Sequence, residues 1–306
     1  MAYVTKKFFL HKPEKTFKFL MENLDISIHE AQRVVDRKRV FVNGNVLEEK
    51  NSQIEGEIEV VVFQPNPLGL KPIFENEYFA FFDKPSGVLV HPRKREVVQT
   101  LSDDIKFLFG KDANVVHRID KETSGLVLVS KDKNSEVFLK NLFESRTVKK
   151  EYMAFVFGKL TESFVIDEKL LLDKEDSLVR IKVHVDTLGK DALTRIEPMS
   201  YLEKYDVTLI KAIPLTGRQH QIRAHLFHVK HPIIGDPIYG VDEEFASDFL
   251  EGKISDDERL KVTKSSRLLL HASRVVFEFN NEIFDIHSPV NVEEIFLKEY
   301  CSHDKL

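Results

Sequence analysis

A run of charged side chains lies between two apolar stretches at residues 117–125. It reads His-Arg-Ile-Asp-Lys-Glu-Thr-Ser-Gly, with Val-Val before it and Leu-Val-Leu-Val after it. Charged groups beside buried strands are costly unless they are solvated or point into a site. The segment, which contains His117, Arg118 and Asp120, is therefore a candidate functional site. The alternative is a solvated hairpin turn, and this segment alone favours the turn.

A second cluster of basic and imidazole side chains follows Pro214. Thr216 and Gly217 are typical of a helix start, which predicts a helix over residues 217–228 with Arg218 in its first turn. The alternative is an amphipathic surface helix. The nearby histidines, at 220, 225, 228 and 231, are offset by five, three and three positions, with no carboxylate or cysteine among them. Only offsets of three or four place two side chains on one helical face, so we expect no metal site.

A basic segment leads into a strand that begins near Tyr152. Residues 146–154 read Arg-Thr-Val-Lys-Lys-Glu-Tyr-Met-Ala. In one interpretation Tyr152 is a core aromatic residue with its hydroxyl at the rim. In the other, its ring is a platform on which a nucleic-acid base stacks.

Together these segments are far more specific than any one of them, and they resemble the RluA-type pseudouridine synthase family over residues 75–290. The matching segments, in the family's order, are Lys84 to Gly87 with Val90 to Pro92, His117 to Gly125, Lys150 to Ala154, Thr216 to Arg223, Gly235 to Gly240, and Leu270 to Ala272. Two departures are visible. Ile119 stands where the family usually has leucine, and residues 93–101 stand where it usually has a glycine-rich stretch.

The resemblance implies an isomerase that converts uridine in RNA to pseudouridine without a cofactor. Asp120 is then the catalytic carboxylate, and it either attacks the anomeric carbon or removes the 2′ proton to give a glycal. Both routes need an ionised carboxylate in a dry pocket. A neighbouring guanidinium lowers an aspartate pKa by about 1–3 units, and the resemblance implies that Arg218 has this role.

The resemblance also implies how the RNA is held. The target base is flipped out of the folded RNA, at a cost of a few kcal/mol, and Tyr152 stacks on it as a further member of the catalytic set. Arg118 fills the gap left in the RNA, and His117 belongs to the same RNA-binding segment. Leu270 supports the base pocket.

The N-terminal part is similar to the alpha-L RNA-binding domain, of the S-four type, over residues 14–63. The similarity consists of two short helices followed by an Asn-Gly hairpin. Basic residues crowd the end of the second helix, and we expect them to bind RNA; they are Arg33, Arg37, Lys38 and Arg39.

Strand-like apolar runs dominate the rest of the chain, with scattered helices. The pattern predicts an α+β fold, in which a mixed, mainly antiparallel sheet with flanking helices follows a small helix-hairpin domain. The predicted division is an RNA-binding domain at 1–64, a proline-containing linker at 65–74 and a catalytic domain at 75–306. Residues 241–266 are polar and charged, and we expect them to form an exposed excursion.

Composition limits the possible partners. The 306 residues have a formal net charge of -5, so a general polycation is excluded and any RNA contact must use local basic patches. There is one cysteine, and no apolar run is long enough to cross a bilayer. We expect a cytoplasmic protein that acts on RNA, with neither a metal nor a membrane partner; large-subunit ribosomal RNA is the first choice of target and transfer RNA the second.

Two other functions fit parts of the pattern. One is a non-catalytic RNA-binding or ribosome-assembly factor on the same scaffold, against which the complete set of candidate catalytic residues argues. The other is a glycoside hydrolase, which needs two cooperating carboxylates. Glu122 is the nominal partner of Asp120 for that chemistry.

Overall fold

The computed structural model describes residues 2–92, 98–172 and 177–301. The described chain forms two compact units, residues 1–68 with 92–103 and residues 69–91 with 104–306. The functional division at 1–64, 65–74 and 75–306 stays a prediction, since compactness does not define what a domain binds. Of the 93–101 loop, residues 93–97 lie outside the described residues.

The first unit is a four-stranded antiparallel sheet with two helices. Its elements are β1 (Ala2–Lys15), α1 (Thr16–Leu24), α2 (Ile28–Asp36), β2 (Val40–Val42), β3 (Asn45–Val46) and β4 (Gln53–Gln64), with strand order β1-β4-β2-β3. Ser27 and Glu30 form the capping box that begins α2. Asn43 and Gly44 both have positive φ, 49° and 79°, as the two-residue turn between β2 and β3 requires.

The second unit contains the remaining strands and most of the helices. The strands are β5 (Pro72–Glu75), β6 (Phe79–Lys84), β7 (Asn114–Val115), β8 (Ser124–Ser130), β9 (Lys149–Phe157), β10 (Phe164–Asp167), β11 (Leu170–Leu172), β12 (Val183–Val185), β13 (Leu193–Leu202), β14 (Val207–Pro214), β15 (Leu270–Phe279) and β16 (Glu282–His287). The helices along this part of the chain are α3 (Leu101–Phe109), α4 (Lys133–Glu144), α5 (Gln221–His228), α6 (Glu243–Leu250), α7 (Asp256–Thr263) and α8 (Val292–Cys301), with a short 3₁₀ helix at Glu203–Tyr205.

Within the described residues, ten of these twelve strands form one sheet of order β10-β13-β14-β9-β15-β8-β6-β5, with β16 and β7 paired off this path. The other two, β11 and β12, form a separate antiparallel pair. The pair β15–β8 is parallel, and the other pairs of this sheet are antiparallel. The predicted α+β fold with a mixed, mainly antiparallel sheet is therefore confirmed.

The segment at residues 117–123 leads directly into β8, a central strand of the ten-stranded sheet. All seven residues of β8 are buried, as expected for an apolar strand with neighbours on both sides. At Gly125, φ is 108°, and a Cβ atom there would lie 2.3 Å from the carbonyl oxygen of Ala272. Only glycine permits so close an approach between β8 and β15.

Candidate active site

Asp120 lies in the loop that precedes β8, with its carboxylate at the edge of a buried polar cluster. Its side chain is 24% exposed, so one face is accessible to a ligand. Its Oδ2 accepts a hydrogen bond of 3.2 Å from Nη1 of Arg223. Nε2 of His220 lies 3.9 Å from the same oxygen.

Arg223 is held more tightly on its other side. In the first turn of α5, its side chain is 2% exposed, and its Nε and Nη2 each donate a 2.7 Å hydrogen bond to the Asp236 carboxylate. Asp236 also accepts from the backbone N–H groups of Ile238 and Tyr239. The guanidinium lies 5.1 Å from the centre of the Tyr239 ring. A planar guanidinium bound at two atoms has a fixed orientation, so Asp236 determines how Arg223 meets Asp120.

The site favours the ionised form of Asp120. Burial by itself raises the pKa of this carboxyl, but His220 and Arg223 outweigh burial and hold the pKa below its usual range. The pKa of Arg223 is raised further by Asp236 despite its burial, so the guanidinium stays charged. Asp120, Arg223 and Asp236 thus form a series of hydrogen-bonded side chains, the Asp120–Arg223–Asp236 chain. The Asp120 carboxylate, at its open end, is negatively charged at neutral pH.

Backbone contacts fix the loop that carries Asp120. Nζ of Lys84 is buried and donates to the carbonyl oxygens of Pro85, Val88 and Lys121, at 2.8, 2.8 and 3.0 Å. Three acceptors match the three N–H bonds of an ammonium, although burial lowers the pKa of Lys84 to about 7. The hydroxyl of Ser86 donates to the Glu122 carbonyl at 2.6 Å.

Tyr152, on β9, packs against two hydrophobic clusters of the second unit. Burial and the Asp120 charge raise the pKa of its phenol, so the hydroxyl keeps its proton. Among the described residues this hydroxyl has no hydrogen-bond partner, and it is not one of the fully buried polar atoms. A ring fixed by the core with an unsatisfied hydroxyl suits a group that contacts a ligand.

The expectation that Arg218 contacts Asp120 is wrong. The α5 helix begins at Gln221, because His220 has a left-handed backbone with φ of 52° and interrupts the expected first turn. Arg218 therefore lies in the preceding loop, where its Nε donates to the carbonyl oxygen of Asp191 at 2.9 Å. Arg223 takes the position beside Asp120.

The remaining candidate residues of this unit, Arg118, His117 and Leu270, differ in how far they are buried. Arg118 is exposed and has no hydrogen bond or ion pair with any described residue. His117 is half-buried, stacked on Phe143 with ring centres 4.5 Å apart, and its Nε2 accepts from the Leu128 N–H. Burial lowers the pKa of His117 to about 3, so it is neutral and supports the loop from within. Leu270, on β15, is buried in a hydrophobic cluster.

The basic cluster of the first unit lies at the end of α2 and in the turn that follows. Arg33, Arg37 and Lys38 are exposed. Lys38 lies 3.3 Å from a Glu48 carboxylate oxygen, and Arg39 donates to the Tyr3 hydroxyl at 2.8 Å with its guanidinium over that ring. Among the described residues, Lys38 is the member of this cluster that has an acidic partner, and Arg33 and Arg37 are the exposed members that have none.

The described residues contain no group of three or more His, Cys, Asp or Glu side chains that could hold a metal ion. No helix among them is long and apolar enough to span a membrane.

Known proteins resemble this chain along most of its length. Residues 78–228 match the family described as RNA pseudouridylate synthase. An uncharacterised RNA pseudouridine synthase of Helicobacter pylori is 38% identical over 95% of this chain and 95% of its own. The chain belongs to the RNA pseudouridine synthases. It is an isomerase by this membership, and Asp120 lies within the matched region.

Two other relatives of this synthase differ in their stated substrates. The ribosomal large subunit pseudouridine synthase C of Vibrio parahaemolyticus is 36% identical, over 71% of this chain and 65% of its own. The mitochondrial tRNA pseudouridine(32) synthase of Saccharomyces cerevisiae is 34% identical, over 81% of this chain and 52% of its own.

Three charged groups of the synthase were missed as site residues from sequence. Arg223 and Asp236 both lie in segments that match the family, but the sequence does not show which arginine of residues 216–223 turns inward. For His220, the spacing of the histidines raises only the question of metal binding, and it gives no sign of a contact with Asp120. The position at which α5 begins decides which arginine turns toward Asp120, and that position depends on the left-handed conformation of His220.

Proposed function

We propose that this synthase isomerises uridine to pseudouridine in RNA, with Asp120 as the catalytic carboxylate. One observation carries the assignment: an ionised, partly exposed aspartate at the open end of the Asp120–Arg223–Asp236 chain. The reaction breaks the bond between C1′ and N1 and forms one between C1′ and C5. The C5 proton is lost and N1 gains a proton, so no oxidant, reductant or second substrate is needed.

The geometry supports a role for Asp120 at the sugar. Its negative charge is maintained by Arg223 and His220, so it can act on C1′ as a nucleophile or on the 2′ proton as a base. Tyr152 is rigid and carries a protonated hydroxyl, so it can stack on a flipped uracil and meet the ring with its polar end. We assign base stacking to Tyr152 and support of the base pocket to Leu270.

A glycoside hydrolase is a weaker interpretation of the same carboxylate. Its mechanism needs a second carboxyl group that is available to the substrate. The nominal partner, Glu122, has a side chain that is 9% exposed and bound at 2.7 Å to Arg259. Asp236 is fully buried and bound to Arg223. Neither is placed to protonate a leaving group.

Arg118 is proposed to enter the RNA where the uridine has left. Its guanidinium is exposed, and it is two residues from Asp120. A planar guanidinium stacks between bases as a lysine ammonium does not. Arg118→Lys should therefore keep the charge and lose activity, and full activity in that variant would contradict the role. His117 is proposed to support this segment through Leu128.

The first unit is proposed to bind RNA through Arg33, Arg37, Lys38 and Arg39. Each phosphate contact contributes roughly 0.7–0.9 to the slope of log affinity against log salt. Replacing the exposed pair Arg33 and Arg37 by glutamine should lower the slope by about 1.4–1.8 if both contact phosphates. An unchanged slope would remove this surface from the RNA contact.

The target is proposed to be large-subunit ribosomal RNA in the cytoplasm. The Vibrio relative, which by its description acts on that RNA, supports this choice. The yeast relative, described as a tRNA synthase, makes transfer RNA the second candidate. Mapping pseudouridine in total RNA from cells with and without the gene identifies the target.

The central experiment uses Asp120→Asn. RNA transcribed in vitro with uridine tritiated at C5 releases tritium when C5 bonds to C1′. We expect wild type to release tritium from the target transcript and Asp120→Asn to release none, with RNA affinity retained. Tritium release by Asp120→Asn at the wild-type rate would refute the assignment.

A further inference from the structure

The α6–α7 excursion reaches the catalytic loop, contrary to the expectation that residues 241–266 are exposed. Most of α7 faces solvent, but Arg259 on this helix is 8% exposed. The helix is fixed at its start by a capping box between Ser255 and Glu258. The Arg259 guanidinium lies 4.9 Å from the centre of the Phe249 ring, which comes from α6.

One nitrogen of Arg259 joins two segments of the site. Its Nη2 donates to Oε2 of Glu122 at 2.7 Å and to the carbonyl oxygen of Gly235 at 3.2 Å. Glu122 is two residues after Asp120 in the same loop. Gly235 immediately precedes Asp236, which orients Arg223. Arg259 therefore connects the backbone segments at the two ends of the Asp120–Arg223–Asp236 chain.

Stability alone is a poor explanation for this contact. Burying an ion pair costs desolvation energy, and apolar side chains of similar volume often stabilise a protein as well or better. The Nε of Arg259 is buried without a hydrogen-bond partner in the described structure, which adds a further cost. A buried charge retained at such cost favours a role in fixing geometry.

We propose that Arg259 is a positioning residue for the isomerisation, through which α7 fixes the distance between the catalytic loop and the turn that holds Asp236. The inference rests on the proposed function of Asp120. Arg259 contacts neither Asp120 nor Arg223, so it acts through Glu122 and Gly235. The contact predicts a loss in turnover rather than in RNA binding.

The experiment compares Arg259→Met, Glu122→Gln and the double variant by tritium release. Arg259→Met keeps the apolar packing and should lower kcat on the order of ten- to a hundredfold, because displacements near 1 Å have effects of this size. KM for RNA should stay within about twofold, since the uniform binding of substrate is untouched. The losses of the single variants should not add in the double variant, because the two side chains act as one contact.

Two controls separate positioning from folding. Arg259→Lys should recover most of the lost kcat, since both hydrogen bonds come from a single nitrogen and an ammonium can replace it. Asp132→Ala removes the side chain that caps α4, which among the described residues accepts hydrogen bonds from Asn134 and Ser135. It should lower the melting temperature of the same unit and leave kcat unchanged below that temperature.

The outcomes distinguish this inference from the proposed function. A wild-type protein that releases no tritium from any candidate RNA refutes the proposed function. An active wild type with an unchanged kcat in Arg259→Met refutes the positioning role. A kcat loss that Asp132→Ala reproduces, or that Arg259→Lys does not relieve, also refutes it and assigns the pair to stability.

Discussion

Replacing Arg223 by methionine tests the central contact of the site. The substitution keeps most of the buried volume and removes a charge that binds two carboxylates. Asp236, whose side chain is 0% exposed, then keeps only the backbone N–H groups of Ile238 and Tyr239. Removing one partner from a buried ion pair costs about 3–5 kcal/mol.

This loss can be expressed as a melting temperature. For a unit of this size, 1 kcal/mol corresponds to roughly 2–4 °C, so Arg223→Met should melt roughly 6–20 °C below wild type. Circular dichroism measures the shift. Adding Asp236→Asn removes the unpaired buried charge and should restore part of the stability.

The activity should change in a separate way. Burial raises the pKa of Asp120 and Arg223 lowers it, so removing Arg223 raises this pKa. The pH below which kcat/KM falls should therefore move to a higher value in Arg223→Met. Rates of tritium release, measured from acid to neutral pH for wild type and Arg223→Met, give the pH dependence of kcat/KM for each protein. The Asp236→Asn addition should leave this shift in place.

Arg218→Met is the matched control. Its guanidinium makes one hydrogen bond to a backbone carbonyl, so the stability loss should be about 1 kcal/mol or less, with no change in the pH below which kcat/KM falls. If Arg218→Met moves this pH and Arg223→Met does not, the contact seen here is not the one that controls Asp120.

Three further predictions follow from the site and its support. Tyr152→Phe should bind RNA as wild type does but turn over more slowly, because stacking is kept and the free hydroxyl is lost; equal kcat would limit Tyr152 to stacking. Because burial lowers the folded pKa of His117 to about 3 from 6.5, the unfolded chain takes up the proton first, and stability present above pH 6.5 is lost as the pH falls. Between pH 6.5 and 5, the unfolding free energy of His117→Gln should fall by roughly 2 kcal/mol less than that of wild type, as measured by urea unfolding at each pH. Equal falls in the two proteins would contradict this prediction. Wild type folds, but Gly125→Ala should not reach the same fold, since the added atom would lie 2.3 Å from the Ala272 oxygen. A melting curve of Gly125→Ala that matches wild type would show that β15 can move.

The sequence predicts those elements of the fold that are determined by a few neighbouring residues. The capping box at Ser27 and the turn at Asn43–Gly44 follow from short-range hydrogen bonds and φ preferences, and both are present. The ordered family segments located Asp120 and Tyr152 in one unit. These elements could be found from sequence because each depends on its own neighbours.

The partner of Asp120 could not be found in this way. Arg218 and Arg223 are equally basic, and the start of α5 decides which one is buried. That start is set by the left-handed φ of His220, whose ring contacts Tyr239, a residue 19 positions later in the chain. The contact between Arg259 and Glu122 spans 137 positions and left no local signal in residues 241–266.

The parallel pairing of β8 with β15 has a consequence for synthesis of the protein. The Ser124 hydroxyl donates to the carbonyl of Leu270, which comes 146 positions later, so β8 cannot gain this neighbour until β15 has been translated. In a nascent chain that ends earlier, β8, which follows the loop that carries Asp120, has an edge that is open to pairing with other molecules. We therefore expect a chain shortened before β15 to be inactive and to aggregate more readily than one that contains β15.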